Sequence, residues 1–82
     1  MIYAELLDVL KNKHANSADV MAMAKKIASD SVMHGILLDA IAYFGLANLY
    51  PIATHAIADM KNLYLESEIG VFKILMEIKK CL

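Results

Sequence analysis

The stretch VMHGILLDAIAYFGLANLYPIATHAIADM, from Val32 to Met60, limits what this chain can become more than any other. Only Asp39 and Asp59 carry a formal charge in it, and it holds two of the three histidines and the one proline. Its middle, Gly35 to Ala53, is nineteen residues long, near the length that spans a bilayer. Asp39 argues against a span, because an aspartate at mid-bilayer costs roughly 2.5–3.5 kcal/mol on insertion scales. Asn48 and Pro51 interrupt the run as well. The stretch therefore predicts buried helices that meet near Pro51, not a membrane segment.

The flanks read as amphipathic helix packed around that centre. Ile2, Tyr3, Leu6, Leu7 and Leu10 recur at helical spacing and predict a first helix from Ile2 to about Asn12. Lys13 to Asn16 reads as a loop. Ser17 is the expected N-cap of a second helix, with Asp19 in its first turn, running to about Ala28. Ser29-Asp30-Ser31 marks a break, with Asp30 or Ser31 capping a third helix that runs to about Ala47. The wide apolar arc of that third helix makes it the expected most buried element.

Pro51 fits the first position of a fourth helix, reaching about Leu65, and should push Tyr50 towards extended backbone. Ser67 is the expected cap of a fifth, from Glu68 to about Lys80. There is no convincing strand and no internal repeat. The expectation is a single all-α domain over residues 1–82, a compact bundle of four to five short helices.

Composition adds a demand for partners. A chain of 82 residues buries only a modest share of its surface alone, yet 60% of this one is hydrophobic. Soluble domains average roughly 45–50%, so a homo-oligomer or a permanent protein partner is expected. The last helix is the best candidate for that contact, since its apolar side chains exceed what one face can bury. Ile69, Phe72, Leu75 and Met76 are the expected self- or partner-contact residues.

Other function classes find little material. The net charge is −1, from eight lysines and nine acids with no arginine. Bidentate recognition of phosphate and guanine is largely arginine work. MAKKIASDSVMHGIL, from Met23 to Leu37, faintly resembles a helix-turn-helix core. Its turn is about two residues short, and the would-be recognition helix offers His34 and Asp39 but no cation. A small DNA-binding regulator is thus the alternative reading, and no nucleic acid is expected.

No catalytic, cofactor or metal site is expected either. His34 lies four residues after Asp30, and His55 four before Asp59, but zinc needs three or four convergent ligands. The plainer reading of each pair is an imidazole beside a neighbouring carboxylate on one helix face. Asp39 is expected to face solvent on a narrow polar edge. Cys81 beside Lys79 and Lys80 reads as an ordinary free thiol, and a lone cysteine suits a reducing cytosol. Met1 precedes Ile-Tyr-Ala-Glu and not a basic segment with an apolar core, so a secretory signal is not expected.

Over its whole length the chain resembles the lysis-inhibition accessory proteins of T-even bacteriophages, which are cytoplasmic antiholins. The opening MIYAELLDVLKNKHANSADV, the lysine-only basic set, the 82-residue length and the helical, cysteine-poor content carry the likeness. The resemblance implies a cytosolic protein of the infected bacterium that binds the cytosolic part of a phage holin. It implies a delay of membrane-hole formation on superinfection, and no catalytic residues.

Overall fold

Capping chemistry sets where the helices begin and end. The computed structural model describes residues 2–58 and 64–82. Five α-helices follow in order: α1 (Ile2–Lys11), α2 (Ser17–Ser29), α3 (Ser31–Tyr43), α4 (Tyr50–Ala58) and α5 (Tyr64–Lys80). A 3₁₀ turn, Ala47–Leu49, leads into α4. All regular structure among the described residues is helical, so the chain is an all-α domain.

Asn16, not Ser17, caps α2. Its backbone is extended (φ −88, ψ 176), and its side-chain oxygen accepts from the Asp19 amide at 2.9 Å. The Asp19 carboxylate accepts in return from the Asn16 amide at 3.0 Å. Either residue type caps well, but only Asn16 places an acid at the third helical position, where a reciprocal capping box closes. Ser17 as cap would have put Val20 there.

Asp30 alone separates α2 from α3. Its amide donates to the Ile27 carbonyl, while its carboxylate accepts from the Val32 amide at 2.9 Å. One residue thus ends one helix and starts the next, as the Ser-Asp-Ser cluster led us to expect.

The third helix stops at Tyr43, about one turn earlier than its periodicity predicts. Gly45 has φ +69, the left-handed conformation that glycine tolerates best. The Leu46 amide donates to the Ile41 carbonyl and the Gly45 amide to that of Ala42, both at 3.0 Å. These bonds form a Schellman motif, and Leu46 packs beside the core that holds Ile41. A Cβ added at Gly45 would meet nothing within 4 Å, so only backbone strain opposes one. Gly45→Ala should therefore lower stability by about 1–2 kcal/mol, read as a lower urea midpoint at unchanged slope.

Tyr50 is helical (φ −56, ψ −49) and not extended. The preceding 3₁₀ turn already delivers the chain in helical geometry, and its Tyr50 amide donates to the Ala47 carbonyl. That continuity outweighs the usual bias of a residue before proline. Pro51 then falls in the first turn of α4, where its missing N–H leaves no bond unmade. The expected end of this helix near Leu65 is not found there, because Leu65 belongs to α5; residues 59–63 lie outside the described residues.

The last helix starts at Tyr64, so Ser67 sits inside it, 2% exposed, and does not cap it. At 17 residues it is the longest of the described helices. It packs most extensively on α2 and next on α4, and also meets α1. The hub is therefore the α2–α5 pair, not the third helix. Val32 and Tyr43 on α3 stand 68% and 65% exposed. α2 has the same 13 residues as α3 but lies along the longer α5, which covers its Val20, Met23, Ala24, Ile27 and Ala28.

The core takes Leu6 and Leu10 from α1, Val20 and Ile27 from α2, and Leu37 and Ile41 from α3. Ala53 of α4 and Ile74, Leu75 and Ile78 of α5 complete it. Each large aliphatic side chain removed from water contributes roughly 1.5–3 kcal/mol. The accessible surface is 4964 Å², close to the roughly 4,900 Å² that a compact folded chain of this mass exposes. The chain thus exposes no more surface than an ordinary folded domain of its mass.

Candidate functional site

Two apolar stripes interleave on α5, and they meet different fates. Val71, Ile74, Leu75 and Ile78 repeat at i, i+3, i+4 and i+7 and lie fully inside. Ile69, Phe72 and Met76 repeat at i, i+3 and i+7 one step round the helix. Ile69 is 40% exposed, and Phe72 and Met76 are half-buried at the edge of the core. Of the four residues expected to make contacts, Leu75 belongs to the core, with no exposed surface of its own. The other three share one edge of α5, flanked outward by Lys73 and Glu77.

The remaining singled-out residues scatter. Asp39 is exposed on α3, on the same face as Val32, Gly35 and Ala42. His34 is half-buried, and its Nε2 is shut from solvent with no hydrogen-bond partner among the described residues. Asp30, four residues earlier, spends its Oδ1 on the Val32 amide. Cys81 is an exposed thiol beyond the end of α5. The side chain of His55, and Asp59 entirely, lie outside the described residues. Among the described residues no three histidine, cysteine or acidic side chains gather as metal ligands.

Nor does the helix-turn-helix pattern find its geometry. Asp30 is the whole connection between α2 and α3, whereas that motif uses a turn of three to four residues. The open face of α3 presents Val32, Gly35, Asp39, Ala42 and Tyr43, with no cation to meet a phosphate. The apolar run from Gly35 to Ala53 folds back on itself through Gly45 and the 3₁₀ turn. Among the described residues no helix is long and apolar enough to cross a membrane.

A second surface has no single stretch of sequence behind it. The first two helices part into a cleft of about 440 Å³. Buried Met23 and half-buried Val9 supply its apolar floor, exposed Ala22 also lines it, and the exposed carboxylates of Glu5, Asp8 and Asp19 stand round it. Lys26 closes one side through an ion pair with Glu5 at 3.3 Å. Both partners of that pair are more than half exposed, so it contributes little to stability. Beyond the pair lies a smaller hollow of about 300 Å³ that adds Asp30 and Met33.

The only trace of this cleft in the sequence is the Glu5–Asp8 spacing, which places two acids on one face of α1. The matching acid, Asp19, comes from the next helix, and nothing in a single sequence pairs the two. No protein-family model, curated protein or solved structure matches this chain.

Proposed function

We propose that this chain is a non-enzymatic, protein-binding regulator: a cytoplasmic antiholin that holds the cytosolic part of a phage holin and delays lysis of the infected bacterium. The whole-chain resemblance to lysis-inhibition accessory proteins supports the identity of the partner. The observation that carries a binding role is the Ile69–Phe72–Met76 stripe, left at the surface of the longest described helix. Apolar side chains at i, i+3 and i+7 are the form in which a helix enters a groove on a partner or a second copy. Such a regulator acts by mass action. Each holin captured in a complex is removed from the pool that can assemble a hole.

Co-expression with the holin tests this directly, with time to lysis as one readout and retention of the holin's cytosolic segment as the other. The chain should delay lysis and retain the segment. Ile69→Asp should abolish association while circular dichroism shows unchanged helix content, because Ile69 is 40% exposed and lies outside the packed core. Phe72→Asp is the weaker test, since Phe72 also packs against that core. A chain that neither delays lysis nor retains the segment would remove the antiholin reading.

A further inference from the structure

We infer that the cleft between α1 and α2 is the docking site for a basic, amphipathic segment of the partner protein. Four of the chain's nine acids, Glu5, Asp8, Asp19 and Asp30, line the cleft and its adjoining hollow, with Lys26 as the one cation. The rest of the sequence carries seven lysines against five acids. The negative charge of this protein is therefore collected at one place, around an apolar floor.

That combination selects the occupant. A bare cation would not use Val9, Ala22 and Met23, and a purely apolar helix would desolvate the Asp8 carboxylate and the exposed Glu5 and Asp19 carboxylates with no new partner for them. A helix or extended segment with one apolar face and flanking lysines or arginines satisfies both. From Glu5 to Asn12 the α1 wall runs about 10 Å, two helical turns, enough for one apolar anchor and two flanking cations. The Lys26–Glu5 pair does not bar the site. Exposed pairs of this kind are worth about 0–1 kcal/mol, so an incoming cation displaces Lys26 from Glu5 at small cost.

The identity of the segment rests on the function proposed above. Cytosolic segments next to a membrane span carry an excess of lysine and arginine. The cytosolic part of a holin is thus the kind of basic segment this cleft fits. The α5 stripe lies on a different helix from the cleft walls, so one partner chain can engage both surfaces.

The test uses the full chain with two fluorescent probes: a peptide of the holin's cytosolic segment, and a model helix built of leucine and lysine. Three variants accompany it. Asp8→Lys reverses a rim charge near the C-terminal end of α1, where a cation suits the helix dipole. Ala22→Gln narrows the cleft without changing charge. Asp39→Lys makes the same charge change as the first, on the exposed face of α3.

Both probes should bind the natural chain, more weakly as salt rises. Asp8→Lys should weaken binding about tenfold or more, and Ala22→Gln should weaken it too. Asp39→Lys should stay within about twofold, as a distant charge does. Holin-peptide binding that ignores both cleft variants would overturn the cleft while leaving the antiholin reading intact. Model-helix binding at the cleft without holin-peptide binding would keep the cleft and reject that reading. Binding of neither probe would overturn both. A dimer that Asp8→Lys alone converts to monomer would assign the cleft to a second copy and overturn the proposal.

Discussion

Leu75→Ala should lower the free energy of unfolding by about 2–5 kcal/mol, while Ile69→Ala should change it by less than about 1 kcal/mol. Both are branched aliphatic residues on one helix, yet Leu75 has no exposed surface and Ile69 is 40% exposed. Leu75 sits in the same cluster as Ile27, Ile41, Ile74 and Ile78. Truncating it removes transfer free energy and leaves a cavity that α2 and α4 can close only in part. A domain of 82 residues has a total stability of about 4–12 kcal/mol. The loss at Leu75 therefore removes a large share and should be plain in a urea titration. Equal losses at the two positions would mean that α5 is rotated about its axis, so that Ile69 faces inward.

That contrast also locates the limit of what the sequence tells. The apolar period of α5 is legible and so is its last turn, closed by Lys79 and Lys80. Which of its two apolar stripes faces inward is not, because both satisfy helical spacing equally well. Grouping Ile69, Phe72, Leu75 and Met76 mixes them. The choice is made by where α2 and α4 lie, and that information is tertiary.

Local signals fared according to how many residues they needed to agree. The sequence leaves the cap of α3 open between Asp30 and Ser31 and it falls to Asp30, and the boundary near Pro51 is where expected. The start of α2 turns on a reciprocal pair, Asn16 with Asp19, and reading Ser17 alone shifts it by one. Gly45 ends α3 because the amides of Gly45 and Leu46 both find carbonyls one turn back, which the apolar run over the same residues conceals. The cleft lies beyond any local reading, since its acids come from two helices joined by a loop.

The largest long-range polar contact among the described residues makes the second strong prediction. Lys79→Ala should lower stability by about 1–3 kcal/mol, whereas Lys80→Ala, its neighbour in sequence, should cost under about 0.5 kcal/mol. Lys79 Nζ donates to the carbonyl of Val9 at 2.7 Å, of Asn12 at 3.0 Å and of Leu10 at 3.3 Å. The Val9 and Leu10 carbonyls are in the last turn of α1, where the helix supplies no further amides, and the Asn12 carbonyl just beyond also accepts from the Ala15 amide at 3.1 Å. An ammonium there satisfies them and meets the negative end of the helix dipole. Lys80 instead pairs with Glu77 at 3.1 Å, both well exposed.

The two lysines share the last turn of α5 and the same charge, so their own helix dipole cancels in the comparison. Hydrogen exchange checks the cause. In Lys79→Ala the amides of α1 should exchange faster while those at the α2–α5 contact keep their protection, because this cap ties the end of α1 to α5 beside Leu10 and Val9. Since α1 is one wall of the cleft, the same variant should also weaken capture of a basic segment, whereas Lys80→Ala should not. Equal stability losses for the two lysines, or uniform loss of protection through the bundle, would mean that Lys79 is not what holds α1 in place.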